Sequence, residues 1–141
     1  MAWPELQWDG ERTGPLQHVR VVDMSSVVLG PFATLQLADL GAEVIKIENG
    51  DSGDMMRRAG ASPAPNIGPI YAALNRNKKA VSLNAANPDD RAAILALIAD
   101  ADVFIHNVRM AGMARLGLTY DDVRKVNPDI VYVHCAGYGS D

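Results

Sequence analysis

Residues 30–48 read GPFATLQLADLGAEVIKIE, the turn, helix, turn and strand of a compact βαβ unit. Gly30 and Pro31 stand where a first strand passes into a helix, and Pro31 suits the first helical position because no backbone N–H is needed there. Gly41 supplies the left-handed residue that ends the helix. Since the free N–H groups and the dipole at a helix start both favour anions, this stretch predicts a site for a phosphorylated cofactor.

Strands and helices alternate along the remainder of the chain. Phe32, Leu35 and Ala38 are spaced to share one side of the first helix. Asn87 is the expected cap of a second helix, and Thr119 starts a short third one. This alternation predicts an α/β fold with a parallel sheet, in which ligands lie beyond the carboxyl ends of the strands. The expected strands are residues 19–23, 43–48, 80–83, 102–107 and 130–135.

Two segments rich in glycine are expected to be loops. Residues 49–69 hold four Gly and three Pro, which suits a long loop with about one turn of helix. The segment between the fourth strand and the Thr119 helix is also broken by glycine. Long ordered loops in compact domains are often functional, so residues 49–69 are expected to contribute to a site.

The composition limits the size, charge and compartment of the protein. At 141 residues and 48% hydrophobic content, the chain suits one domain with a single core. With 13 basic and 17 acidic residues, the net charge of -4 gives no general attraction to nucleic acid or to an anionic membrane. The single Cys135 argues against a disulfide framework or a zinc site and fits a cytoplasmic protein. The chain start lacks a signal-peptide pattern, and no apolar run reaches the roughly 20 residues of a membrane span.

Several short motifs follow one another from about residue 16 to the end. They are Val21-Val22-Asp23-Met24, Gly30-Pro31, residues 37–48, Gly53-Asp54-Met55-Met56-Arg57, residues 75–79, Ala101-Asp102-Val103 with Asn107, residues 115–118, Asn127-Pro128 and Gly137-Tyr138-Gly139. In this order they resemble the class III CoA-transferases, the CaiB/BaiF family, which also contains α-methylacyl-CoA racemases. The resemblance implies a Rossmann-like CoA-binding domain over residues 16–141, with helices on both faces of the parallel sheet. Residues 1–15 are expected to form an N-terminal arm.

The same resemblance implies an activity. Family members move CoA between an acyl-CoA and a free carboxylic acid, through covalent adducts on an Asp. Coenzyme A is then part of a substrate, and no permanently bound cofactor is expected. The nucleophilic Asp follows the Gly-Tyr-Gly motif by a further segment, so we expect this chain to stop before it and to be inactive alone. A full-length protein is expected to be a homodimer.

Three alternatives stand beside CoA transfer. The first is a 2-methylacyl-CoA racemase of the same family, which would also depend on residues beyond Asp141. The second is a CoA-binding module without catalytic activity. The third is an inactive fragment that binds nothing and exposes an unfinished sheet edge.

The resemblance also assigns contacts with CoA. Gly137 and Gly139 are expected near the thioester, where backbone N–H groups can approach a developing oxyanion. Several of the assigned contacts have packing alternatives, since residues 26–29 suit ordinary strand-to-helix packing, Asn107 suits a strand-end cap and Leu83 suits a core position. The assigned contacts are Ser26, Val27, Val28, Leu29, Asn49, Leu83, Asn107 and Arg115.

Charged residues near these contacts have more than one interpretation. Arg76, Lys78 and Lys79 either face the CoA phosphates as point charges or form a solvated turn. Lys46 and Glu48 share a strand face, and we expect them to pair and to hold the end of the strand.

Two other groups of residues resemble functional motifs but lack a required part. Glu48 lies at about the spacing of the acid in a dinucleotide fingerprint, but the Gly-x-Gly-x-x-Gly run is missing, which argues against NAD. His134 and Cys135 are neighbours on a strand and point to opposite faces, so they do not form a nucleophile and its base. Cys135 is most simply a small core residue.

Overall fold

The computed structural model of the chain describes residues 12–50 and 52–139. The strands are β1 (Arg20–Met24), β2 (Glu43–Glu48), β3 (Lys79–Ser82), β4 (Val103–His106) and β5 (Val131–His134). The helices are α1 (Leu29–Asp39), α2 (Pro69–Asn75), α3 (Pro88–Ala99), α4 (Met110–Leu116) and α5 (Tyr120–Val123), with a 3₁₀ turn at Met55–Arg58. All strand pairs are parallel, in the order β3-β2-β1-β4-β5. The predicted α/β parallel sheet is confirmed.

Neighbouring residues of β1 point to opposite faces of the sheet and belong to two separate cores. Val21 packs with Ala38 of α1 in the core of one face. Val22 packs with Ile94 and Ile98 of α3 in a larger core on the other face, which α4 and α5 also enter. Full burial of a side chain such as Ile94 contributes roughly 1.5–3 kcal/mol to stability. Helices therefore cover both faces of the sheet, as the resemblance implied.

The structure corrects two predictions about α1. The helix begins two residues before Pro31, which occupies the third position instead of the first. Its missing N–H is still harmless, because first-turn N–H groups have no partner within a helix. Phe32 is 52% exposed, although its spacing suggested the buried side. Thr34 is buried instead, because its hydroxyl donates to the Asp23 carboxylate of β1.

Helix ends with a local sequence signal are predicted correctly. Gly41 has a φ of +102° and follows Leu40, the residue that caps the end of α1. The Asn87 side chain accepts hydrogen bonds from the N–H groups of Asp89 and Asp90, and so caps α3. Thr119 caps α5. Each of these residues serves backbone groups close to it in sequence, which is why sequence alone identifies it.

Two helices, α2 and α4, were not predicted. Gly68 precedes α2, and a Cβ added there would lie 2.3 Å from the carbonyl oxygen of Met56. This close approach packs α2 against the 3₁₀ turn. No local sequence pattern predicts such a contact. α4 contains Gly112, whose low helix propensity concealed the helix within a segment expected to be a loop.

The expected N-terminal arm falls mostly on residues 1–11, which lie outside the described residues. Its boundary at residue 15 therefore stays a prediction. Leu16, at the expected start of the domain, packs against the core that contains Val21. Among the described residues, no helix combines the length and the apolar character needed to cross a bilayer.

Candidate functional site

A cavity of about 390 Å³ opens at the edge of the sheet where β1, β2 and β4 end. Its volume lies in the range typical of small-molecule sites. The strand order reverses beside β1, which is where ligands bind in open parallel sheets. Its apolar wall includes Met24, Ile47, Leu83, Val108 and Leu116, and its neutral polar groups include Ser26, Asn49, Asn84 and Asn107.

Ser26 and Asn107 join the ends of β1 and β4 at this cavity. The N–H of Ser26 donates to Oδ1 of Asn107 at 3.1 Å, and Nδ2 of Asn107 donates to the Ser26 carbonyl at 2.8 Å. Asn107 is therefore a strand-end cap and a part of the cavity wall at once. Asn49 and Leu83 also line the cavity, so the structure brings four of the predicted CoA contacts together.

The other four predicted contacts lie outside the cavity lining. The N–H of Val27 points to the loop after β2. Val28 and Leu29, at the start of α1, are 47% and 59% exposed. Arg115 is exposed on α4, one residue before the cavity wall. Contacts of all eight residues with CoA stay predictions. The two glycines expected near the thioester, Gly137 and Gly139, are exposed beyond β5.

The ammonium of Lys46 is buried at the floor of the cavity. Its Nζ donates to the Ser25 carbonyl at 2.8 Å and lies 3.1 Å from Oδ2 of Asp54. The side chains of Lys46 and Asp54 are each only 1% exposed. The predicted pair of Lys46 with Glu48 is wrong, because each of the two binds an opposite charge from the loop after β2. For Glu48 that charge is Arg57.

Glu48 accepts hydrogen bonds from three residues. Arg57 donates to Oε2 at 2.7 Å and to Oε1 at 2.6 Å, and the Tyr71 hydroxyl donates to Oε1 at 2.6 Å. The N–H of Asp54 donates to Oε2 at 2.8 Å. Burial alone would raise the pKa of Glu48, but the hydrogen bonds from Arg57 and Tyr71 outweigh it and lower the pKa to about 2. Glu48 is thus a permanent anion at neutral pH.

Lys78 is buried between α1, α2 and β1. Its Nζ lies 3.2 Å from Oδ2 of Asp23 and donates to the Thr34 hydroxyl at 2.8 Å and to Oδ1 of Asn75 at 3.0 Å. Burial lowers the pKa of Lys78 to about 8, although Asp23 opposes the shift. Lys78 therefore neither faces solvent nor reaches the cavity, and both earlier interpretations of it are wrong.

The two basic neighbours of Lys78 form ion pairs on the surface. Nζ of Lys79 lies 2.7 Å from Oε1 of Glu43, and Arg76 pairs with Asp39. A hydrogen bond from Lys79 is the main reason why the pKa of Glu43 falls to about 2 against the effect of burial. Neither Arg76 nor Lys79 lines the cavity, so the structure does not bring them to the expected place of the phosphates.

His106 is fully buried at the end of β4. Within the described residues, neither of its ring nitrogens has a hydrogen-bond partner. Its ring stacks on His134 with 4.8 Å between centroids and meets Tyr132 at 5.1 Å. Burial, assisted by the charge of His134, lowers the pKa of His106 to about 4. The ring is therefore neutral at physiological pH.

The buried charges beneath the site balance one another. Hydrogen-bond donors engage the carboxylates of Asp23, Asp54 and Glu48, so these groups support the shape of the cavity and are poor candidates for nucleophiles. Within residues 12–50 and 52–139, no three His, Cys, Asp or Glu side chains are grouped to hold a metal ion. Sequence reasoning missed these three pairings. The one sequence feature that pointed to them is in β2, where the charged residues Lys46 and Glu48 stand at alternate positions among β-branched residues. The pairs are Asp23 with Lys78, Asp54 with Lys46 and Glu48 with Arg57.

Known proteins resemble this chain along most of its length. The family model of CoA-transferase family III matches residues 16–141. An acyl-CoA transferase of Fusarium pseudograminearum is 43% identical over 142 residues, which cover 95% of this chain and 31% of that protein. The succinyl-CoA:glutarate CoA-transferase of Mus musculus is 38% identical, over 94% of this chain and 30% of that protein. The acetyl-CoA:oxalate CoA-transferase of Acetobacter aceti is also 38% identical, over 89% of this chain and 32% of that protein.

Solved structures show the same fold. A CAIB/BAIF family protein from Brucella suis superposes with a TM-score of 0.85 at 30% identity, over 91% of this chain and 35% of that one. A hypothetical protein from Mycobacterium tuberculosis superposes with a TM-score of 0.81 at 35% identity, over 92% of this chain and 35% of that one. The chain spans about a third of the length of the relatives it matches.

Proposed function

This chain belongs to CoA-transferase family III, and we propose that it binds the CoA moiety of an acyl-CoA in the cavity at the carboxyl ends of β1, β2 and β4. The main support is the wall of that cavity, in which apolar side chains face neutral amides and hydroxyls at the point where the strand order reverses. An adenine ring needs an apolar surface for its faces and hydrogen-bonding groups for its edges. Leu83 and Val108 offer the first, and Asn84 and Asn107 offer the second.

The start of α1 is the proposed place of the phosphates. It follows the Ser26 turn directly, and its first backbone N–H groups have no partner within the helix. Leu29 and Gly30 bring such N–H groups, whereas Pro31 has none. The helix dipole favours an anion at the same point, so a pyrophosphate is the part of CoA that suits this position.

In the proposed reaction, CoA passes from the acyl-CoA to a free carboxylic acid. A carboxylate oxygen attacks the thioester carbonyl, a carbon–oxygen bond forms, the carbon–sulfur bond breaks, and CoA leaves as a thiolate. The thiolate then attacks the carbonyl of the enzyme carboxylate in the resulting anhydride, which frees the first acid and leaves CoA on the enzyme as a thioester. The acceptor carboxylate attacks this thioester and displaces the thiolate again. The thiolate finally attacks the acceptor's carbonyl in the second anhydride, so that the acceptor leaves as its CoA thioester and the enzyme carboxylate is restored. Asp54 and Glu48, the carboxylates at the cavity, are occupied by Lys46 and Arg57, which supports a nucleophilic Asp outside the described residues. A cytoplasmic location and a homodimer of the full-length protein remain parts of this proposal.

Calorimetric titration of the chain with CoA tests the binding step. Asn107→Ala is expected to weaken CoA binding about tenfold, because it removes a polar group of the cavity and the link to Ser26. Asn127→Ala is the matched control, since the Asn127 amide also donates to the backbone, at the carbonyls of Ile98 and Ala101, but at the opposite end of the sheet. Equal losses for both variants, or no binding of CoA by the unaltered chain, would contradict the proposed site.

The catalytic step is tested by transfer of CoA from an acyl-CoA to a free carboxylate. The 141-residue chain alone is expected to be inactive, and a longer polypeptide that continues past Asp141 is expected to be active. Transfer by the isolated chain would show that the nucleophile is misplaced. Exchange of deuterium at the α-carbon of a 2-methylacyl-CoA would identify the racemase, and binding without either reaction in the longer polypeptide would identify a non-catalytic module.

A further inference from the structure

Val27 has an unusual backbone conformation for its residue type. Its φ is +75°, in the left-handed region, where the Cβ branch of valine is unfavourable. Such a residue persists only where its surroundings hold it in place, and it is typical of sites that position a ligand. Val27 lies between Ser26 of the cavity wall and the start of α1, so its conformation sets how these two neighbours are presented.

The carboxylate of Asp54 holds Val27 in this conformation. The N–H of Val27 points between the two carboxylate oxygens of Asp54, at 3.3 Å from each. Oδ1 also accepts from the N–H of Met56 at 3.0 Å, and Oδ2 faces the Lys46 ammonium. All these contacts are at a carboxylate that is 1% exposed, so water does not compete for them.

Lys46 completes the contact from the other side of the turn. Its ammonium donates to the carbonyl of Ser25, while its partner Asp54 accepts from Val27 two residues later. The ion pair therefore binds the turn on both sides of Ser26, at the carbonyl of Ser25 and at the N–H of Val27. A loop from β2 and a turn from β1 are joined in this way, directly beneath the cavity.

We propose that Asp54 is a positioning residue for CoA: with Lys46 it holds Val27 in the left-handed conformation and so presents Ser26 and the first turn of α1 to the ligand. This inference rests on the proposed CoA site, but the state of Val27 is measurable without any ligand. Without the carboxylate, Val27 relaxes to a negative φ. That relaxation draws the N–H of Ser26 away from Oδ1 of Asn107, which lies 3.1 Å from it.

The test combines Asp54→Asn with two changes at Val27. Asp54→Asn is expected to weaken CoA binding about tenfold, because the neutral amide holds the Val27 N–H and the Lys46 ammonium less strongly. Val27→Gly in the same chain is expected to restore affinity to within about threefold of the original, since glycine adopts positive φ without cost. Val27→Ala is the matched control and is expected not to restore it, because alanine keeps a Cβ. Rescue by both changes or by neither would overturn the proposal.

The φ of Val27 is followed separately in NMR, in the absence of CoA, by the cross-relaxation between its own amide and α protons, which lie closest together when φ is positive. A clear weakening of this signal in Asp54→Asn supports the positioning role, and an unchanged signal overturns it. Failure of the unaltered chain to bind CoA would instead contradict the proposed function and leave the ligand-free result intact.

If Asp54→Asn does not fold, the proposal is tested by comparing the stabilities of Val27→Gly and Val27→Ala as single variants. With Asp54 in place, Val27→Gly is expected to be at least as resistant to denaturant as Val27→Ala, the reverse of the usual order of these residues. The usual order, with alanine clearly more stable, would show that Val27 is not held at positive φ.

Discussion

Lys78 and Asp23 form an ion pair that is closed off from water: their side chains are 1% and 0% exposed, with 3.2 Å between Nζ and Oδ2. The next residue, Lys79, also forms an ion pair, at 2.7 Å from Glu43, yet its side chain is 55% exposed. Two adjacent lysines thus make similar contacts in opposite environments. The environment, more than the distance, decides what each pair contributes to stability.

Lys78→Met is expected to lower the free energy of unfolding by about 3–5 kcal/mol, because it leaves Asp23 buried without a counter-charge. Lys79→Met is the matched control and is expected to cost about 0–1 kcal/mol, since Lys79 is largely exposed and Glu43 keeps its ion pair with Arg20 at 2.7 Å. Denaturant unfolding of the two variants measures both values. Similar losses for the two lysines would mean that Lys78 is hydrated in solution.

His106 predicts a loss of stability in mild acid. Its pKa is about 4 in the folded chain and about 6.5 when unfolded, so the unfolded chain binds more protons between these values. The free energy of unfolding therefore falls as the pH drops below 6.5. The total loss reaches about 3 kcal/mol when the pH is below 4. His106→Phe is expected to remove this dependence of stability on pH, because phenylalanine keeps an aromatic ring at this position but has no nitrogen that can be protonated. His18→Phe, at an exposed position, is the control, and an unchanged profile in His106→Phe would refute the assignment.

Glu48 predicts a second transition at lower pH. Its pKa is lowered from 4.5 to about 2, so its contribution is complete above pH 4.5 and disappears as the pH falls through 2. Tyr71→Phe removes one donor to Oε1 and is expected to raise the pKa of Glu48, which moves the acid unfolding midpoint to higher pH. Tyr120→Phe, at an exposed tyrosine, is the comparison. Coincident acid unfolding curves for the two variants would exclude a role of the Tyr71 hydroxyl.

Gly30 predicts a steric limit at the start of α1. A Cβ there would lie 2.3 Å from both Cβ and Oγ of Ser25, so Gly30→Ala must displace the turn before the helix. We expect a loss of about 1–3 kcal/mol, as for other overpacked positions, together with weaker CoA binding. Gly137→Ala is the control for stability, because no atom lies within 4 Å of the added Cβ. Thermal unfolding and calorimetry measure both effects, and a fully stable Gly30→Ala would show that the turn adapts.

Several features followed from neighbouring residues alone. The strand Glu43–Glu48, the Asn87 cap and the glycine end of α1 were predicted correctly, because each depends on groups a few residues apart. The parallel sheet followed from the alternation of strands and helices, since a strand that returns in parallel needs a crossover. The order of motifs was enough to indicate the family, which the family model over residues 16–141 confirms.

Other features depend on contacts between segments that are distant along the chain. Lys78 meets Asp23 across 55 positions, and no local pattern distinguishes this lysine from Lys79. Lys46 pairs with Asp54 and not with Glu48 because the loop after β2 folds back under the cavity. Side chains can be assigned to water, to a core or to a buried ion pair only when the packed chain shows what surrounds them. For a charged residue, the environment sets the cost of desolvation. That cost in turn decides which partner the residue needs, how its pKa shifts and which role it can have.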